Sequence, residues 1–140
     1  MKRFDGFMHG VNLGGWFSQC NHTEERYDTF IKEEDFATIK SWGLDHVRLP
    51  IDYELVESAD GKPAEKGYER IAQAIGWCKK NRLNMILDLH KTAGFSFAAD
   101  EKEDGFFDSP ELQERFFKLW ENLAVHFAKA FDDADCDDGQ

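Results

Sequence analysis

The sequence is short of positive charge, has only three cysteines and contains no long hydrophobic run. The cysteines are an odd set without a C-x-x-C spacing, which predicts free thiols in a reducing compartment rather than a disulfide framework. None of them has the neighbouring His and Gly setting that marks an activated thiolate. A catalytic cysteine is therefore not expected.

Acidic residues outnumber basic ones, 28 to 17, which gives the chain a formal charge of −11. The lysines and arginines are scattered among acids, whereas nucleic acid and anionic membranes reward basic clusters. No stretch reaches the roughly 18 apolar residues of a membrane span, and no apolar run follows the basic residues near Met1. We therefore expect no nucleic-acid partner, no membrane association and a cytoplasmic location, with an extracellular location left open.

Thirteen phenylalanines and four tryptophans supply more apolar volume than a disordered chain carries, and 41% of the residues are hydrophobic. This composition predicts one globular domain over residues 1–131. The segment 132–140 is mostly acidic and is predicted to be a disordered tail.

Strand-like and helix-like segments alternate along the chain. Short apolar runs predict strands at 8–13, 46–51 and 85–90. Apolar residues at helical spacing predict helices at 33–42, 68–81 and 109–131, the last with Ser109 as N-cap and Pro110 at its first position. The order βαβαβα predicts an α/β fold with a parallel sheet and right-handed crossovers.

Four polar residues, Asn12, Arg48, Asp88 and His90, lie at the ends of these predicted strands. In parallel α/β folds functional side chains gather where strands end, so a shared polar site would explain them. For Arg48 an alternative of equal weight is a structural ion pair with Asp52 or with a helix end. Trp16, close behind the first strand, is predicted to be a platform for sugar stacking in preference to a core residue.

Three sequence motifs resemble the first three strand motifs of glycoside hydrolase family 5: GVNLGGW at 10–16, HVRLPI at 46–51 and LDLH at 87–90. They occur in the order of the family, and the resemblance extends over residues 6–131. It implies the first three βα units of a TIM (β/α)8 barrel and hydrolysis of β-linked glucans or related polysaccharides by the retaining mechanism. Relatives often carry a substrate-binding Glu four residues after the tryptophan, where this chain has Cys20.

The resemblance also implies roles for two residues. Arg48 corresponds to an arginine that holds the nucleophilic carboxylate ionised, and His90 to a histidine that contacts the sugar. Asn12 and Trp16 complete the predicted substrate-binding set, and no cofactor or metal is expected.

A complete barrel needs about 250 residues, so the sequence is interpreted as a fragment. The family's acid/base and nucleophilic glutamates end the fourth and seventh strands, which are expected downstream. Retaining hydrolysis requires two carboxyl groups about 5–5.5 Å apart. No catalytic residue is therefore assigned within this chain, and the isolated chain is predicted to be inactive.

Two other functions remain open from the sequence. One is a non-catalytic carbohydrate-binding or interaction module that uses the same strand ends. The other is a metal-dependent barrel hydrolase that uses Asp88 and His90, although such sites usually have three protein ligands.

Three strands from a barrel also leave two unpaired sheet edges, which predicts poor stability or self-association through these edges. Val11, Leu13 and either Ile86 or Leu87 are expected on the open face that the rest of a barrel would cover.

Overall fold

The computed structural model describes residues 4–98 and 102–132, with side chains up to residue 130. Its strands are β1 (Gly10–Asn12), β2 (His46–Asp52) and β3 (Asn84–Lys91). The helices are α1 (Glu24–Thr29), α2 (Glu33–Ser41), α3 (Tyr53–Val56), α4 (Glu65–Lys80) and α5 (Pro110–Asp132), and Phe106–Asp108 form a 3-10 turn. The predicted acidic tail lies outside the described residues except for Asp132, so its predicted disorder stays a prediction.

The described strands form a parallel sheet in the order β1-β2-β3. Val11 pairs with Val47 and Val47 with Met85, so the three strands run in register. Because the strands are parallel, their carboxyl ends meet at one edge of the sheet. This arrangement confirms the predicted strand order and leaves β1 and β3 at the two sides of the sheet described here.

Alternate residues of the strands face the helices and form the core. Val47, Leu49 and Ile51 of β2 are fully buried, and they pack with apolar residues of α2, α4 and α5. These helix residues include Phe36, Ile39, Ile71, Ala74, Leu119, Leu123 and Phe127. The alternation of a half-covered sheet places the other set of β2 side chains, including Arg48, on the opposite face.

The expectation that Val11 and Leu13 lie on the open face is wrong. Leu13 is only 3% exposed and Val11 packs against the same core, because both share the strand face that the helices cover. Leu87 also packs on the core, whereas Ile86 is 40% exposed. The open face is consequently more polar than expected, and the cost of leaving it in water is smaller.

Two short helices were not expected from the sequence. Helix α1 begins after Thr23, whose hydroxyl accepts a hydrogen bond from the Arg26 amide. Helix α3 follows β2 directly, and Gly67 of α4 packs against its backbone. Helix α1 lies between β1 and α2, and α3 lies between β2 and α4.

The predicted N-terminus of α5 is confirmed, since the Ser109 hydroxyl accepts a hydrogen bond from the Leu112 amide at 3.2 Å. The apolar stripe of α5 places Leu119, Leu123 and Phe127 in the core, while the side chain of Phe131 lies outside the described residues. Among the helices described, none is long and apolar enough to cross a bilayer.

Candidate functional site

Four polar side chains from the three strands meet on the open face of the sheet. Arg48 lies at the centre and donates from Nη2 to Asp88 Oδ2 at 2.6 Å and from Nη1 to Asn12 Oδ1 at 3.2 Å. His90 Nδ1 lies 3.1 Å from the same Asp88 oxygen. The structure therefore brings together Asn12, Arg48, Asp88 and His90, as the sequence predicts.

The register explains this arrangement. Asn12 pairs with Arg48 across β1 and β2, and Arg48 pairs with Ile86 across β2 and β3. Asp88 and His90 follow Ile86 at intervals of two residues, so they share its strand face. Each strand contributes at least one member to a single polar row.

The Asp88 carboxylate orients both of its neighbours. It accepts hydrogen bonds from the Arg48 guanidinium and from the His90 Nδ1–H tautomer, which leaves the lone pair of His90 on Nε2. The side chains of Arg48, Asp88 and His90 are 36%, 29% and 27% exposed. They are thus ordered by one another and still within reach of a ligand on the open face.

The alternative for Arg48, an ion pair with Asp52, is wrong. Asp52 is 1% exposed and its Oδ2 accepts from the Gln19 amide at 2.9 Å and contacts His22 Nε2 at 3.0 Å. Burial by itself would raise the pKa of Asp52, but the hydrogen bonds from His22 and from the Gln19 amide outweigh burial and lower this pKa. Asp52 is thus held as a carboxylate without Arg48.

The predicted role of Trp16 as a sugar platform is contradicted. Its ring is 1% exposed, stacks on Phe17 and Trp77, and donates from Nε1 to the Tyr27 carbonyl at 2.9 Å. Gly15 before it has a φ of 76°, which favours glycine, and the Trp16 ring also packs edge-on against Phe36 of α2. Trp16 is a core residue.

A second polar cluster lies beside the carboxyl end of β2 and was missed from the sequence. It consists of His22, Asp52 and Glu54, whose nearest donor atoms all lie within 4.8 Å of one another. Lys91 donates to Glu54 Oε1 at 2.5 Å, and Tyr27 OH lies 2.8 Å from His22 Nδ1. The only signal in the sequence was a histidine in the β1–α1 loop, two residues after Cys20.

Cys20 gives no support for thiol chemistry. Its sulfur lies 3.2 Å from the Trp16 carbonyl and 3.7 Å from His22 Nδ1. Burial raises the pKa of the Cys20 thiol, and nearby Asp52 adds to this rise, so the thiolate is disfavoured.

The carboxylates near the ends of β2 and β3 each contact a basic side chain and do not form a catalytic pair of carboxyl groups. Asp88 is paired with Arg48, Asp52 with His22 and Glu54 with Lys91. The alternative of metal-dependent hydrolysis at Asp88 and His90 lacks a third ligand among the residues described.

A loop aromatic also lies next to the first cluster. Phe97 is 79% exposed and its ring centroid lies 6.5 Å from that of His90. Gln19, Asp52, Lys91 and Ser96 join Phe97 and His90 around a small cleft. This cleft connects the two polar clusters.

Parallel strands joined by helices, with a row of polar side chains on the open face, define part of a (β/α)8 barrel. The family model described as cellulase (glycosyl hydrolase family 5) matches residues 7–132. The chain belongs to glycoside hydrolase family 5.

Curated relatives support this membership. The chain is 52% identical over 127 residues to cellodextrinase A of Ruminococcus flavefaciens, covering 91% of this chain and 38% of the relative. It is 44% identical over 124 residues to endoglucanase C of Acetivibrio thermocellus, covering 86% of this chain and 36% of the relative. The chain thus spans little more than a third of the length of these relatives.

Solved structures agree on the fold. Thermotoga maritima Cel5A, solved in complex with cellobiose, superposes with a TM-score of 0.65 at 26% identity over 86% of this chain and 36% of that protein. The described three-stranded sheet with its helices therefore corresponds to a portion of a family 5 barrel.

Proposed function

We propose that this chain forms the N-terminal part of a retaining glycoside hydrolase that acts on β-linked glucans. The observation that carries the proposal is the row formed by Asn12, Arg48, Asp88 and His90 on the open face of the sheet. Family membership supports the substrate class, since the curated relatives include a cellodextrinase and an endoglucanase. Cello-oligosaccharides are accordingly the substrates to test.

In this proposal Arg48 holds the nucleophilic carboxylate ionised. An arginine that already makes one charge-assisted hydrogen bond to Asp88 keeps further N–H donors for a second acceptor. A carboxylate beside it is stabilised in its charged form, which is the form that attacks the anomeric carbon. By accepting this hydrogen bond, Asp88 orients the Arg48 guanidinium toward the nucleophilic carboxylate.

His90 and Asn12 contact the sugar in the same proposal. With its Nδ1–H donated to Asp88, His90 offers Nε2 as an acceptor for a sugar hydroxyl. Asn12 retains its amide donors, because Arg48 engages only its carbonyl oxygen in the contact between them. The two residues thus present an acceptor and a donor to hydroxyl groups on either side of Arg48.

In this proposal neither catalytic glutamate is assigned to a residue of this chain. Retaining hydrolysis needs an acid and a nucleophile about 5–5.5 Å apart, and the carboxylates Asp52, Glu54 and Asp88 are each held by a basic partner. We therefore expect the isolated chain to be inactive on aryl β-glucosides. Activity of rigorously purified chain that is lost in Asp52→Asn or Asp88→Asn would contradict this assignment.

The test of the proposal is a chimeric barrel in which residues 7–132 of this chain replace the matching segment of the Ruminococcus cellodextrinase. The chimera is expected to hydrolyse cello-oligosaccharides. Arg48→Ala should lower its kcat/KM by roughly 10-fold to 150-fold, which corresponds to loss of about 1.5–3 kcal/mol from a charge-assisted hydrogen bond.

Lys118→Ala is the matched control, since it removes a cation from the exposed surface of α5. Unchanged kinetics in Arg48→Ala, or an equal loss in Lys118→Ala, would contradict the role of Arg48. If the chimera folds but is inactive, and the isolated 140-residue chain binds insoluble glucan, the alternative function of a non-catalytic carbohydrate-binding module would be favoured.

A further inference from the structure

The cluster of His22, Asp52 and Glu54 has no role in the proposed hydrolysis, yet it gathers metal-binding donors in one place. His22 Nε2 lies 3.0 Å from Asp52 Oδ2 and 3.9 Å from Glu54 Oε2. Neighbouring ligands of one transition-metal ion, each about 2.0–2.2 Å from it, are separated by distances of this size. The three donors come from the β1–α1 loop, from the end of β2 and from the start of α3.

Two oxygens of the cluster have unmet hydrogen-bonding capacity. Asp52 Oδ1 and Glu54 Oε2 are buried and make no hydrogen bond of normal geometry, although the Ser18 hydroxyl lies close enough to Asp52 to help lower its pKa. The Asp52 side chain is only 1% exposed, so bulk water has little access to hydrogen-bond with it. A buried carboxylate oxygen without a partner is costly, and a bound cation would remove that cost.

The other contacts fix the geometry of the cluster. The Gln19 amide holds Asp52 Oδ2, and Lys91 holds Glu54 Oε1, which leaves Glu54 Oε2 facing His22. Tyr27 OH lies 2.8 Å from His22 Nδ1 and can accept a hydrogen bond from an Nδ1–H tautomer. A histidine that binds a metal through one ring nitrogen characteristically donates a hydrogen bond from the N–H of the other.

We propose that His22, Asp52 and Glu54 bind a divalent transition-metal ion, with Zn²⁺ as the expected ion. One imidazole nitrogen and two carboxylates form a three-ligand set of the kind Zn²⁺ accepts, with a further position for water. On binding, the hydrogen of the His22 ring lies on Nδ1, and the Nε2 lone pair faces the ion. The ion ties the β1–α1 loop to the end of β2, next to the cleft that Asp52 shares with His90.

The test is calorimetric titration of the metal-free chain of 140 residues with Zn²⁺, and in parallel with Mg²⁺ as a hard cation. We expect saturable binding of about one Zn²⁺ per chain, little heat with Mg²⁺, and a rise in the melting temperature when Zn²⁺ is added. His22→Gln and Glu54→Gln should abolish both the binding and the thermal shift. Tyr27→Phe, which keeps the ring, should weaken binding about 10-fold to 100-fold.

His9→Gln and Cys136→Ser are the matched controls, because each removes another metal-binding side chain and should leave the titration unchanged. Absence of Zn²⁺ binding by the wild-type chain would overturn the proposal. Binding that survives both His22→Gln and Glu54→Gln would do the same. It would leave His22 as a hydrogen-bond donor to Asp52.

A measurement on the wild-type chain covers the case in which the variants do not fold. Mn²⁺ added in small amounts should broaden the NMR signals of His22 and Gln19 before those of His9. Broadening that begins elsewhere in the chain would overturn the site. Neither readout depends on glycosidase activity, so failure of this proposal is distinguishable from failure of the proposed function.

Discussion

Replacing Asp88 by Asn tests whether one carboxylate orients both Arg48 and His90. The change keeps the size of the side chain and removes its charge. In the native chain Asp88 Oδ2 accepts from Arg48 at 2.6 Å and from His90 Nδ1 at 3.1 Å. An amide can donate as well as accept, so Asn at this position no longer specifies the Nδ1–H tautomer of His90.

The expected loss of stability is modest. A hydrogen bond to a charged group contributes about 1.5–3 kcal/mol when sheltered, whereas an exposed ion pair contributes about 0.2–1 kcal/mol. The side chains of Arg48 and Asp88 are 36% and 29% exposed, which places this pair between the two limits. We expect a loss of about 1 kcal/mol and a fall in melting temperature of about 4 °C.

The assay is nitrogen NMR of the His90 ring at a pH where the imidazole is neutral, together with a thermal melt. The native chain should show mainly the Nδ1–H tautomer, and Asp88→Asn should shift the population toward Nε2–H. Asp108→Asn, an exposed acid in the 3-10 turn, is the control and should change neither readout. An unchanged His90 tautomer in Asp88→Asn would refute the reasoning that Asp88 positions this ring.

Three further predictions concern the fold. Gly67→Ala should destabilise the chain by about 1–3 kcal/mol in a denaturant titration, because a Cβ would lie 1.8 Å from the Leu55 carbonyl oxygen; Gly76→Ala in the same helix meets nothing within 4 Å and should be neutral or stabilising. Hydrogen bonds from His46 and from the Met8 and His9 amides lower the pKa of Asp45 from 3.8 to about 2. The stability contributed by Asp45 should therefore be complete above pH 4 and lost as the pH falls toward 2. In Asp45→Asn, the free energy of unfolding should not show this loss between pH 4 and pH 2. The same pH dependence in the native chain and in the variant would contradict the prediction. The unpaired sides of β1 and β3 should cause self-association, and a monomer in analytical ultracentrifugation at micromolar concentration with a sharply cooperative melt would contradict that prediction.

Local sequence patterns were enough to predict the strands and the main helices. Short apolar runs gave β2 and β3 to within about two residues, and the Ser109-Pro110 pair located the start of α5. The same patterns predicted His90 near the end of β3, whereas Arg48, predicted at a strand end, lies inside β2 and reaches the polar row through its register with Asn12 and Ile86. The polar row was therefore predictable in its members, although the partner of Arg48 was not.

The wrong predictions for Leu13 and Trp16 have a common physical cause. The local sequence does not determine which elements pack on each face of the sheet. Leu13 and Trp16 follow β1 closely, yet the helices and the β1–α1 loop bury both. The cluster around Asp52 depends on His22, thirty residues earlier, whose position is set by the path of the loop rather than by any periodic pattern. Contacts between side chains that are far apart in sequence can be identified only in the folded structure.

The most direct test of the central claim is a crystal structure of the chimeric barrel with cellobiose bound. The account predicts a sugar ring above the open face of the sheet, with its hydroxyl groups within hydrogen-bond distance of His90 and Asn12. Arg48 should lie against the carboxylate of the nucleophilic glutamate while keeping its bond to Asp88. Cellobiose bound away from the strand ends, or Arg48 turned from the nucleophile, would contradict the account.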